Sequence, residues 1–291
     1  MPDLSLNLGY STHFIDWMDF LSMRLSKRPV KWLSASLSLF LGLAIVGTPW
    51  LVIAQQFVAP RRGLPGRRIG GGTRDPRPCV WGNATQPGDM AALSPAANLG
   101  LTTAKQPRFF WYLPKTRAKQ AEFVLYKADA QAIDKLLDSN LESQIKNVAQ
   151  TKLYSKTLDL SKQIGIMSLS LPKTGSEEIP VLETGQYYRW TLALICDANN
   201  RKRDIQVEGW VQRVPPNADL SSQLQKADDR KRVALYANNG YWYDTLNTLA
   251  ELRCANPKDT NLVNSWAALL KSVKLDSVSN QPLIEVCAPK Q

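Results

Sequence analysis

The chain has 291 residues, with 36 Lys and Arg against 25 Asp and Glu, a net charge of +11, four cysteines and a single histidine. That histidine, His13, lies upstream of a candidate cleavage site, which excludes Ser-His-Asp and Cys-His mechanisms from the chain beyond it. The cationic excess is partly local, and what remains is too dispersed for a nucleic-acid-binding face.

Arg24, Lys27, Arg28 and Lys31 form a basic cluster ahead of an apolar run from Trp32 to Val46. Thr48-Pro49 breaks a helix, and Val52-Ile53-Ala54 makes a V-x-A cleavage pattern before Gln55. Basic, apolar and cleavable segments in this order are those of a signal peptide, so residues 1–54 are expected to be removed between Ala54 and Gln55. Trp32 to Ala54 is also long enough to span a bilayer if Pro49 is tolerated, and an uncleaved anchor is the competing reading. Both readings place the remainder outside the cytoplasm, with a membrane contact only in the second. Met23 would open a signal peptide of ordinary proportions, which leaves residues 1–22 as a start-site artefact or an N-terminal extension.

Residues 55–77 hold six arginines against Asp75, a net +5, among many Gly and Pro. No apolar periodicity runs through them, and the expectation is a flexible linker. Its clustered arginines, Arg61, Arg62, Arg67 and Arg68 foremost, are the candidate contacts for an anionic partner. Gly70-Gly71-Gly72-Thr73 lacks the Gly-Lys-Ser/Thr of a phosphate loop, so no nucleotide site is expected.

From 78 to 214 the pattern is strand-like. Phe109 to Leu113 ends at Pro114, and Phe123-Val124-Leu125-Tyr126 follows. Lys152 to Leu158 and Ile164 to Leu171 alternate. In Tyr187 to Asp197, Tyr188, Trp190, Leu192, Leu194 and Cys196 share one face. Ile205 to Val214 closes the series. Short strands between Pro and Gly turns predict an antiparallel Ig-like β-sandwich whose aromatics are mostly core. Residues 127–150 interrupt it with Ile133, Leu136, Leu137, Leu141 and Ile145 at helical spacing, an inserted amphipathic helix covering a sheet edge.

After Pro215-Pro216 four helices are predicted: about Leu220 to Ala227, Arg230 to Asn238, Trp242 to Ala255 and Asn261 to Lys274. Gly240 between the second and third, and Pro257 after the third, give one tetratricopeptide-like hairpin. A lone unit cannot bury its faces by stacking and is expected to dock on the sandwich. The fold class is thus α+β: a sandwich over 78–214 and a helical subdomain over 215–291.

All four cysteines, Cys79, Cys196, Cys254 and Cys287, follow the cleavage site, and an even number in an exported chain favours disulfides. Their spacing fits no C-x-x-C redox or zinc motif. Four cysteines allow three pairings. Cys79 and Cys196 belong to the strand-rich half, Cys254 and Cys287 to the helical half, and pairing within each half is the expectation.

The stretches Tyr187-Tyr188-Arg189-Trp190, Val207-Glu208-Gly209-Trp210-Val211 and Trp242-Tyr243-Asp244-Thr245-Leu246 resemble a cyanobacterial exported family catalogued as domain of unknown function 928. Gly70-Gly71-Gly72-Thr73-Arg74 before Cys79, and Leu269-Leu270-Lys271-Ser272-Val273, fit it as well. The resemblance covers nearly all of residues 70–285. It implies an envelope location and no known activity. The insert at 127–150 departs from the family pattern, and Cys254 stands where that pattern more often has Arg, so no role for Cys254 carries over.

The leading functional expectation is a non-enzymatic envelope protein that binds a protein or anionic glycan partner, with no cofactor, metal or catalytic residue and no nucleic acid. The rival is a glycan hydrolase using two carboxylates. Its candidates are Glu122, Glu183, Asp197, Asp204 and Glu208, none of them in a recognisable motif.

Overall fold

Residues 56–60, 62–70, 79–83, 87–160, 164–172, 181–284 and 286–287 are described in a computed structural model of the protein. The signal-like segment and its Ala54–Gln55 junction lie outside them. The strands are β1 (Ile69–Gly70), β2 (Val80–Trp81), β3 (Met90–Ala92), β4 (Leu99–Thr102), β5 (Arg108–Leu113), β6 (Lys115–Thr116), β7 (Gln120–Ala128), β8 (Gln150–Asp159), β9 (Gly165–Ser170), β10 (Tyr187–Leu194) and β11 (Ile205–Arg213). The α-helices are α1 (Ala130–Asp138), α2 (Ala218–Lys226), α3 (Asp229–Asn238), α4 (Trp242–Ala255) and α5 (Thr260–Ser272).

The fold is α+β, with strands giving way to helices after Pro215-Pro216. One sheet has the order β4-β11-β10-β7-β8, a second β1-β3-β5-β9, and β2 pairs with β6 in a short ribbon. Among the described residues the named strands pair antiparallel except β4 with β11, which is parallel. The all-antiparallel expectation fails there because β4 is a four-residue strand clamped from both sides. Its far edge bonds the helical half, Leu101 N donating to Gly240 O at 3.2 Å.

Period-2 alternation sends Tyr188, Trp190, Leu192 and Leu194 of β10 to one fully buried face. Phe109 of β5 packs there, with ring centroids 5.2 Å from Phe123 and 5.5 Å from Trp190. The next residue, Phe110, points the other way and meets Trp266 of α5 at 6.3 Å. The smaller sheet is therefore a middle layer, which explains why Phe109 to Leu113 is an unbroken apolar run and not an alternating one.

Helices α1, α2, α3 and α5 each begin where a side chain caps them, whereas α4, after Tyr241, has no side-chain cap. Asp129, Asn217, Asp228 and Asp259 accept from backbone N–H groups of α1, α2, α3 and α5; such caps contribute about 1 kcal/mol each. The helices have no core of their own. Trp242, Tyr243, Leu246, Leu249, Trp266 and Leu269 join the same buried cluster as the sheets. Tyr243 is the deepest link: its hydroxyl accepts from Trp190 Nε1 at 2.7 Å and donates to Trp210 O at 3.1 Å. Gly100 leaves room for this contact, because a Cβ there would lie 2.9 Å from both Trp242 Cβ and Tyr243 Cε2.

The insert consists of α1 and a 3-10 turn, Glu142–Asn147. Ile133, Leu137 and Ile145 form a second small core with Leu64, Leu99, Ala128, Tyr187 and Trp210. Leu99, Ala128, Tyr187 and Trp210 lie on the outward face of β4, β7, β10 and β11, and Leu64 joins them from outside the sheet. The insert thus covers a sheet face and not the expected edge, since its apolar stripe needs the flat apolar patch around Trp210. Leu141, expected inside, is 42% exposed.

Candidate partner-binding surface

The described part of the arginine-rich segment is not the free linker its composition suggests; residues 55, 61 and 71–77 lie outside the described residues. Residues 56–70, where described, form a strap across the domain. Phe57 is 7% exposed and meets Trp242 edge-on at 4.8 Å. Leu64 sits in the second core. Main-chain bonds run from Val58 N to Ala237 O (3.1 Å), Leu64 N to Ala97 O (2.9 Å), Ala92 N to Arg68 O (2.8 Å) and Glu208 N to Arg67 O (2.9 Å). β1, at the end of the strap, pairs with β3. The segment lacks periodicity because it is an irregular extended ribbon, and two apolar anchors suffice to hold it.

This packing redistributes the candidate arginines. Arg61 lies outside the described residues. Arg62 Nη1 pairs with Asp138 at 2.8 Å on the surface. Arg68 Nη1 donates to Ser94 O (3.0 Å) and Val273 O (2.6 Å), and Nη2 to Lys274 O (3.3 Å). It caps the C-terminal end of α5, where exposed carbonyls carry the negative end of the helix dipole. Burial lowers its pKa. Arg67 N donates to Glu208 Oε1 at 2.8 Å, while its exposed guanidinium has no partner among the described residues.

The five carboxylates singled out for acid–base work are each held by a cation. Glu208 Oε2 accepts from Arg189 Nη1 at 2.7 Å, and its other oxygen serves the strap. Glu183 pairs with Lys127 at 2.7 Å. Arg201 bridges Glu122, at 2.8 Å, and Asp204. Asp197 pairs with Arg203 at 3.4 Å. Glu122, Asp197 and Asp204 therefore meet at one end of the larger sheet, whereas Glu183 and Glu208 lie apart from them.

Asp244, in the first turn of α4, is a half-buried carboxylate that sequence reasoning passed over. It accepts from Thr103 N at 3.0 Å and from Thr103 Oγ1, tying the end of β4 to the helix. Burial pushes its carboxyl above the usual range, against the pull of the Thr103 and Thr102 hydrogen bonds. An Asp in the first turn beside two tyrosines was the available signal.

The cysteines pair as Cys79–Cys196 and Cys254–Cys287, with Cα atoms 5.6 and 5.2 Å apart. The first bridge ties the β2–β6 ribbon to the end of β10. The second holds the C-terminal segment on α4, where Ile166 N donates to Pro282 O and Ile284 N to Ile166 O, both at 2.7 Å, along the edge of β9. Among the described residues no helix is long and apolar enough to cross a membrane, and no group of three or more His, Cys, Asp or Glu is placed to hold a metal ion.

A family model described as Domain of Unknown Function (DUF928) matches residues 69–283. No curated protein and no solved structure matches the chain.

Proposed function

The chain belongs to the family described as Domain of Unknown Function (DUF928), and from that premise we propose an exported, non-enzymatic protein of the cell envelope that binds a protein or anionic glycan partner. The observation that carries this reading is the pairing of Glu122, Glu183, Asp197, Asp204 and Glu208 with Lys or Arg. Each of the five is thereby engaged in tying strands and loops together, and none is left as half of a free carboxylate pair. Two disulfides fit an oxidising compartment, in keeping with the basic, apolar and V-x-A order at the N-terminus. The sheets facing each other across Phe109, Phe123 and Trp190 support an Ig-like sandwich as the scaffold. α3 and α4 support one tetratricopeptide-like hairpin docked on it.

The test is capture from envelope extract on the purified protein, with bound proteins identified by mass spectrometry and bound glycans by sugar analysis. Saturable retention of a defined protein or glycan is the expected result. Turnover of an envelope glycan that is abolished by Glu122→Gln or Glu208→Gln would replace this reading with the hydrolase. N-terminal sequencing of the exported form is expected to begin at Gln55.

A further inference from the structure

We infer that the end of the larger sheet carrying the Cys79–Cys196 bridge binds an acidic polysaccharide, through Trp81 and a cluster of cations formed by Lys115, Arg117 and Lys119. This rests on the binding reading above and moves the contact away from the arginine strap.

Several independent pairings bring these residues together. Trp81 lies opposite Lys115 in the β2–β6 ribbon. Arg117 N donates to Cys79 O at 3.1 Å, which fixes Arg117 beside the bridge to Cys196. Lys119 O accepts from Leu160 N at 2.8 Å, and the neighbouring Gln120 O accepts from Ile195 N at 2.9 Å. Lys202 lies on the adjoining loop, between Arg201 and Arg203.

The cluster faces outward for a local reason. After β6 the chain bends at Arg117 and again at Lys119, and burial alternates: Lys115, Arg117 and Lys119 are exposed, Thr116 half-buried and Ala118 buried. Four residue steps span at most about 14 Å, so the backbones that carry the three cations lie within that distance of one another. Several cations this close together suit a polymer that carries many negative charges.

The acids at this end offset the cluster only in part. Glu122, Asp197 and Asp204 set three carboxylates against Arg201 and Arg203, and Asp159 accepts from the neutral Gln120 Nε2 at 3.0 Å, against the four positive charges of Lys115, Arg117, Lys119 and Lys202. Lys115, Arg117, Lys119 and Lys202 have no carboxylate partner among the described residues.

The aromatic ring names the partner class. Trp81 is 39% exposed, with Lys115 Nζ 5.5 Å from its ring. An indole face packs on the C–H face of a sugar ring, while the cations meet its carboxylate or sulfate groups. Membrane insertion needs a broad apolar face beside the cations, whereas Trp81 stands beside them as a single exposed ring.

The experiment measures binding of dextran sulfate to the purified protein, with neutral dextran as control and vesicles of phosphatidylglycerol and phosphatidylcholine in parallel. Dextran sulfate is expected to bind and neutral dextran not. The triple variant Lys115→Gln/Arg117→Gln/Lys119→Gln is expected to lose affinity by about tenfold, with an unchanged melting temperature, since exposed charge pairs contribute modestly and additively. Lys202→Gln and Trp81→Leu, each a single change, are expected to weaken binding several-fold, the latter because it keeps apolar area but no aromatic face. Arg67→Gln is expected to bind like the unmodified protein.

Unaltered binding by the triple variant, or an equal loss in Arg67→Gln, overturns this site and leaves the binding reading intact. Vesicle binding without dextran sulfate binding also overturns it, in favour of a lipid surface. Failure of the unmodified protein to retain dextran sulfate or anything from envelope extract would overturn both.

Discussion

Phe57→Ala tests whether the arginine-rich strap belongs to the fold. The ring is 7% exposed and packs edge-on against Trp242 at 4.8 Å. Truncating a buried Phe costs about 3–5 kcal/mol. The lower end applies here, because the strap can loosen locally, which caps the loss at its own docking energy. We expect about 3 kcal/mol, which for a domain of this size lowers the melting temperature by roughly 6–12 °C. Val58→Ala, next in the chain but 53% exposed, is the matched control and should change stability by less than about 0.5 kcal/mol. Thermal melts followed by circular dichroism read the difference. Hydrogen exchange at the Val58 amide, bonded to Ala237 O at 3.1 Å, reports the strap directly and should quicken in the variant. Indistinguishable melts for Phe57→Ala and Val58→Ala would refute the packing and restore the free linker.

Gly100→Ala places a Cβ 2.9 Å from Trp242 Cβ and Tyr243 Cε2 and should destabilise by about 1–3 kcal/mol, read by urea denaturation. Asp244 gives a pH signature. Its folded pKa is raised by burial above the ordinary 3.8, so the ionised form costs stability at neutral pH. That cost is relieved as pH falls through the folded pKa towards 3.8, and the stability of the unmodified protein relative to Asp244→Asn should improve over that window. Parallel stability curves from pH 7 to 4 would contradict the raised pKa. Replacing Cys254 and Cys287 by Ser opens a crosslink of sequence separation 33 and should cost up to about 4 kcal/mol. Proteolysis around residues 281–287 should rise with it, and peptide mapping without reductant should find Cys79–Cys196 intact.

Much of the fold is legible because it is written locally. Trp242–Ala255 reads as a helix from Leu246, Leu249 and Ala250 at helical spacing, with Asn256-Pro257 stopping it. β10 reads from strict alternation, and the disulfide pairs from which half of the chain each cysteine occupies. The candidate site was less legible. Glu208 reads as an outward strand residue, yet it is the post to which Arg67 N and Arg189 are tied.

What the sequence determined by itself is what depends on neighbours a few residues away: caps, helical stripes, strand alternation, and the absence of histidine beyond residue 54. The tertiary structure alone decided the fate of residues 56–70. Composition reads Gly, Pro and Arg there as a solvated linker, because no period links Phe57, Leu64 and Arg68. Their partners are Trp242, the face around Trp210 and the end of α5 at Val273. An irregular segment is held by contacts far away in sequence, and periodicity carries no trace of such contacts. The same holds for the cations. Arg68 and Lys115 are alike as single positive charges, but one is spent on main-chain carbonyls and the other left beside an exposed ring.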